Sequence, residues 1–221
     1  MILQPLQAIV FDMDGLMVDT EPLSRQVWQD ILTDYGQTLT DETYAAMVGR
    51  RSDESVRLIL DNHDLPLTAA ELTAIKTERW AACWQQGVPA RPGLFELQAE
   101  IARRNIPWGV ATSSVRYYAL EILAQLGLQP TNGAVVGGDE VARSKPAPDI
   151  YLLAAERLGV RPEACLGLED SVPGGMAVIA AGMTLAAVPH DSTRPEDFPF
   201  TPYIYASLHE VRQDLDRFFA T

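Results

Sequence analysis

Lysine is almost missing from this chain. Only Lys76 and Lys145 occur among 17 basic residues, against 30 acidic ones, and the formal net charge is −13. An acidic surface of this kind repels phosphate backbones, which argues against nucleic acid as a partner. An anionic ligand must instead be drawn in by a local site made from a few cations and a metal. The scarcity of lysine also makes a lysine inside a motif informative. Cysteine is equally rare: Cys83 and Cys165 show no metal-ligand spacing and read as two free, mostly buried thiols. His63, His190 and His209 are scattered and match no triad or metal spacing. No apolar run approaches the ~20 residues of a membrane span. The N-terminal segment lacks the basic start of a signal peptide. These absences point to a cytoplasmic protein with no membrane partner, and a monomer is the default.

What the chain does have is alternation. Its 221 residues, 47% of them apolar, suffice for one to two domains. Short apolar runs at residues 6–11, 108–111, 134–136, 165–168 and 185–188 read as buried parallel strands. Between them lie helical stripes: Leu94, Leu97 and Ile101; Leu120, Leu123 and Leu126; Ile150, Leu153, Ala154 and Leu158. Such strand–helix alternation predicts right-handed βαβ units and a doubly wound parallel sheet, an α/β fold.

Residues 22–88 break the pattern. Leu23, Val27, Trp28, Ile31, Leu32 and Tyr35 form one helical stripe, and Val56, Ile59 and Leu60 another. Thr68 and Glu71 form a capping-box candidate opening a third helix to about Trp84. With no strand among them, the segment reads as an all-helical insertion after the first strand. The expected division is a core of residues 1–16 and 91–221 and a small all-α unit of residues 17–90, hinged at 16–22 and 88–93. Residues 190–202, with three prolines, read as an extended loop. Ser207 and Glu210 suggest a capped final helix to about Phe219. Gly137-Gly138-Asp139 reads as a loop, and Trp28, Trp80, Trp84 and Trp108 as packing residues.

Ligands of open parallel sheets bind outside the carboxyl ends of the strands. Four predicted strands end there in polar groups: Asp12 and Asp14; Thr112, Ser113 and Ser114; Lys145 in the loop after the third; and Glu169-Asp170. Each alone is an ordinary cap or turn residue. Together they bring five ionisable groups to one edge, which chance placement does not explain.

These residues carry a resemblance. The segment from Phe11-Asp12-Met13-Asp14-Gly15 to Glu21-Pro22 resembles the first signature of the haloacid dehalogenase superfamily. Thr112-Ser113-Ser114, Ser144-Lys145-Pro146 and Gly167-Leu168-Glu169-Asp170-Ser171 resemble its second, third and fourth motifs, in family order. The helical insertion is similar to the small cap of its β-phosphoglucomutase-like phosphatases.

The resemblance implies a Mg2+-dependent phosphatase acting on a small phosphorylated metabolite, with sugar phosphates the leading class. Asp12 would be the nucleophile and form an aspartyl-phosphate. Asp14 would be the general acid and base. Thr112, Ser113 and Lys145 would hold the phosphoryl oxygens. Mg2+ would take the carboxylates of Asp12 and Asp170 and the backbone carbonyl of Asp14. Glu169 would either bind the metal through water or orient Lys145. In the Gly49-Arg50-Arg51-Ser52 loop, Arg51 is the first candidate to contact substrate and Arg50 the second; Glu21 would face substrate from the cap–core boundary. The alternatives are a sugar phosphomutase and a phosphoglycolate-type phosphatase. Ser24, where such mutases place a histidine, and a cap loop without Val-Ser-Arg order argue against the mutase. Asp14 and Glu169-Asp170 argue against dehalogenation.

Overall fold

A computed structural model describes residues 5–48, 50–190 and 193–219. Gly49 of the predicted cap loop and residues 191–192 of the predicted extended loop lie outside them. Five strands form one sheet: β1 (Ala8–Phe11), β2 (Trp108–Ala111), β3 (Val135–Val136), β4 (Cys165–Glu169) and β5 (Thr184–Ala187). Every pairing is parallel, in the order β3-β2-β1-β4-β5, so β1 is central and the chain winds outward on both sides.

Alternation along β1 divides the core in two. Ile9 and Phe11 join one apolar cluster, while Ala8 and Val10 join the other. The first face is covered by α5 (Leu94–Arg103), α6 (Arg116–Leu126) and the late helix α9 (Leu208–Gln213); the second by α7 (Asp149–Leu158) and α8 (Val172–Ala180). This is the predicted doubly wound sheet.

Four helices intervene between β1 and α5: α1 (Glu21–Asp34), α2 (Asp41–Ala45), α3 (Ser52–Asn62) and α4 (Ala69–Trp84). They enclose a core of their own, including Val27, Trp28, Ile31, Val56, Ile59 and Leu72. The capping box of α4 is present: Glu71 N–H donates to Thr68 Oγ1 at 3.3 Å, and Thr68 N–H to Glu71 Oε2 at 2.8 Å. Losing such a cap costs about 1 kcal/mol. The segments entering and leaving this insertion run side by side. Val18 and Ala90 form an antiparallel bridge, flanked by Asp19 N–H to Pro89 O at 2.8 Å and Arg91 N–H to Met17 O at 2.9 Å.

Four readings need correction. Leu120 is exposed, and α6 buries Tyr118, Ala119, Ile122 and Leu123 instead. Residues 190–202 contain a 3-10 turn at Pro195–Asp197. Short α2 adds a helix that the sequence pattern did not resolve. The final helix stops at Gln213 and gives way to a 3-10 turn, Leu215–Arg217. Ser207 makes no side-chain cap there, because Glu210 reaches past it and accepts from Ala206 N–H at 2.8 Å.

Candidate active site

The carboxyl ends of β1, β2 and β4 and the loop after β3 converge beneath the helical cap. Asp12 follows the last residue of β1, and its N–H donates to Leu168 O at 2.9 Å, fixing it between β1 and β4. Lys145 Nζ is buried and donates to Asp12 Oδ1 at 2.5 Å, Glu169 Oε1 at 2.6 Å and Ala111 O at 3.1 Å. Three acceptors around one ammonium fix its position.

Glu169, fully buried at the end of β4, is saturated. Tyr151 donates its phenol to Oε1 at 2.7 Å, and Oε2 accepts from Asp170 N–H, Ser171 N–H and Ser171 Oγ at 3.0–3.1 Å. The first turn of α8 must come very close for this. A Cβ on Gly174 would stand 1.8 Å from Glu169 Oε1.

Asp170 is built differently. Its Oδ1 is buried with no hydrogen-bond partner among the described residues, and carboxylate oxygens of Asp12, Glu169 and Asp170 lie within 4.8 Å of one another. Gly15, at φ +89°, passes close by; a Cβ there would stand 2.1 Å from Asp170 Oδ2. Burial pushes the Asp12 carboxyl up to about 8, opposed by Lys145 and reinforced by Glu169. Burial and then Asp12 push Asp170 well above the usual carboxylate range. Carboxylates left this short of positive charge, one with an orphaned oxygen, form an all-oxygen donor set that fits a hard divalent cation such as Mg2+.

Asp14 sits in a ring of hydroxyls. Thr112 Oγ1 and Ser114 Oγ donate to Oδ2 at 3.0 and 2.8 Å, and the Tyr118 phenol donates to Oδ1 at 3.0 Å. Ser113 completes this edge, with its carbonyl against Gly138.

Over this floor lies a cavity of about 560 Å3, walled on the cap side by Glu21, Ser24, Trp28, Arg50, Arg51, Lys76 and Trp80. Both arginines therefore reach the cavity. Arg50 Nε donates to Ala46 O at 2.7 Å, and Arg51 Nε lies 3.3 Å from Asp53 Oδ1. A hydrogen bond from Ser144 Oγ to Glu54 Oε1 ties α3 of the cap to the residue preceding Lys145. Glu21 lines the cavity at the start of α1, where His190 Nδ1 lies 3.2 Å from its Oε2 and His190 Nε2 3.2 Å from Asp19 Oδ1.

The structure thus gathers Asp12, Asp14, Thr112, Ser113, Lys145, Asp170, Glu21 and Arg51 around one cavity, with Glu169 buried behind Lys145. Sequence reasoning placed Ser114 and Ser171 in the motifs without giving either a role, and it overlooked Tyr118, Tyr151 and Lys76 as site residues. Of these three, Lys76 carried a signal, as one of two lysines. Trp28 and Trp80 line the cavity as well as packing, and Gly138 and Asp139 belong to its rim.

Comparison with known proteins decides the family. The model of the haloacid dehalogenase-like hydrolases matches residues 6–182. The chain belongs to that family. Among its curated relatives, fructose-1-phosphate phosphatase YqaB of Escherichia coli (strain K12) is 35% identical over 79% of this chain and 92% of that protein. The phosphorylated carbohydrates phosphatase of Thermotoga maritima is 30% identical over 80% and 82%. Among solved structures, CbbY from Rhodobacter sphaeroides in complex with phosphate superposes with a TM-score of 0.81 at 31% identity, covering 93% and 96% of the two chains. As a haloacid dehalogenase-like hydrolase, the chain is an enzyme. No helix among its described residues is long and apolar enough to cross a membrane.

Proposed function

We propose that this hydrolase cleaves the phosphomonoester of a small phosphorylated carbohydrate, through an aspartyl-phosphate on Asp12. The observation that carries the reading is the contrast between the two aspartates of one segment. Asp12 is held by a buried ammonium beside an unsatisfied carboxylate, whereas Asp14 accepts from three neutral hydroxyls. The first suits attack on phosphorus and the second suits moving protons.

In the first half-reaction a carboxylate oxygen of Asp12 bonds to phosphorus as the ester P–O bond breaks, and Asp14 gives its proton to the leaving alkoxide. In the second, Asp14 takes a proton from water as the water oxygen bonds to phosphorus and the Asp12–phosphoryl bond breaks. Ester and water have become alcohol and phosphate, and both aspartates are restored. Lys145 and the Thr112 hydroxyl, with the backbone at Ser113, orient the phosphoryl oxygens. Asp12, Asp170 and the carbonyl of Asp14 would hold Mg2+, which supplies the positive charge that offsets repulsion between carboxylates and phosphate. Glu169, with both oxygens engaged, orients Lys145 in preference to binding the metal through water.

Substrate class rests on the cavity and the relatives. Its volume of about 560 Å3 and its wall of Ser24, Ser52, Thr73, Thr77, Trp28 and Trp80 suit a polyhydroxylated ligand. Two relatives are named for phosphatase activity on fructose 1-phosphate and on phosphorylated carbohydrates. Phosphoglycolate would leave much of that space unfilled. Arg51, with Arg50 as second candidate, and Glu21 contact the sugar.

The test is Asp12→Asn, assayed against a panel of sugar phosphates. Phosphate release should fall by at least roughly 10³-fold, and acid-quenched wild-type protein should carry one phosphoryl group that the variant lacks. EDTA should stop turnover and Mg2+ restore it. Activity without metal, or an active Asn variant, would overturn the reading. With β-glucose 1-phosphate and a bisphosphate activator, free phosphate is the expected product; glucose 6-phosphate would mark a mutase.

A further inference from the structure

We propose that the phenol of Tyr118 is the positioning group for the proton-transferring carboxylate of Asp14, and that the cap helix α4 sets its place. The inference rests on the acid–base reading of Asp14 given above.

Three hydroxyls claim the Asp14 carboxylate, but they are not equivalent. Thr112 and Ser114 share Oδ2, and Tyr118 donates to Oδ1. Thr112 Oγ1 is also the hydroxyl that faces an incoming phosphoryl group. Once the phosphoryl oxygen takes that donor, the grip on Oδ2 loosens while the grip on Oδ1 stays. Tyr118 is then the pivot about which the carboxylate turns Oδ2 towards the leaving oxygen.

The pivot is well anchored. Tyr118 is 3% exposed, on the first turns of α6. Its ring stands 5.5 Å from Trp84, edge to face, and 5.8 Å from Trp80, both on α4. A phenol keeps its proton at neutral pH, so it stays a donor to the carboxylate throughout turnover. The same side chain therefore touches the acid–base residue with its tip and the cap with its ring. A cap out of place leaves the pivot out of place, so proton transfer is tied to closure over substrate.

Tyr118→Phe removes the tip and keeps the ring, so the packing on Trp80 and Trp84 survives. A proton donor matters to a leaving group in proportion to its basicity. A sugar alkoxide needs the proton; p-nitrophenolate does not. The expected result is a fall in kcat on the preferred sugar phosphate of roughly 10- to 100-fold, with KM within about two-fold. On p-nitrophenyl phosphate the variant should release a first equivalent of nitrophenol as fast as wild type. A slower steady rate should follow, because Asp14 must still activate water to clear the phosphoenzyme. Loss of the first-turnover burst in proportion to the loss on sugar phosphate would mark a structural defect and overturn the proposal, as would unchanged turnover on both substrates. Asp14→Asn separates the two readings. If it shows the leaving-group pattern and Tyr118→Phe does not, only the pivot fails. If Asp14→Asn leaves sugar phosphate turnover intact, the acid–base reading fails with it.

Discussion

The chain's two lysines line one cavity and are built in opposite ways. On the core side, Lys145 is buried and donates to two carboxylates and a carbonyl. On the cap side, Lys76 Nζ lies 5.4 Å over the Trp80 ring, and burial lowers its pKa against the opposing pull of Asp14. One cation is fixed by partners of the protein's own; the other is held by an aromatic face. On the core wall the cation is committed before substrate arrives. On the cap wall Lys76 is left free to meet an incoming ligand, which suits a group meant to meet different sugars.

The contrast can be broken by exchanging each lysine for a residue of similar length. Lys145→Met leaves two buried carboxylates without their cation and should cost about 3 kcal/mol of folding stability. Lys76→Met should stay within about 1 kcal/mol. Urea unfolding of both variants checks this, and equal losses would erase the distinction between the walls.

Metal removal sharpens it further. In the metal-free protein the Asp12 carboxyl stands at about 8 against an ordinary 3.8, raised chiefly by burial. Between these values the native state binds more protons than the unfolded chain, so stability falls as pH rises through the window. Mg2+ binds the deprotonated carboxylates. Its effect on the melting temperature, relative to EDTA, should therefore be larger at pH 8 than at pH 5. An equal effect at both would show that the metal does not draw on these carboxylates.

The smallest effect belongs to the cap loop. Arg51→Ala should raise KM about 10-fold with kcat little changed, the pattern of lost uniform binding. Arg50→Ala should do less, since its Nε is already bonded to Ala46 O. Steady-state kinetics on the preferred sugar phosphate distinguishes the two; a larger effect at Arg50 would reverse their roles.

The floor of the site was legible because strand ends announce themselves: an apolar run stops and a polar group follows. Asp12, Thr112 and Glu169-Asp170 all obey that rule. Side chains that support these groups left no such mark. Tyr118 is 104 residues from Asp14 and Tyr151 is 18 from Glu169, each on a helix face where an aromatic residue ordinarily signals packing. Leu120 misled for a geometric reason. Residues three apart fall about 60° short of a full turn, so Leu120 and Leu126 diverge by about 120° around α6. Tyr118, Ala119, Ile122 and Leu123, at spacings of one and four, are the buried stripe. At the chain's end, an i,i+3 Ser–Glu pair resembled a capping box, but the carboxylate satisfied the backbone one residue earlier.

The bridge between Val18 and Ala90 has a meaning beyond the hinge. The chain leaves the sheet and returns to it at neighbouring points, so the helices between are spliced into the core as an insertion. A short turn joining the two segments would close the gap without moving β1 or α5. The catalytic edge, assembled from residues on either side of the splice, could thus outlast the replacement of one insertion by another, with a new roof giving the same chemistry a new clientele.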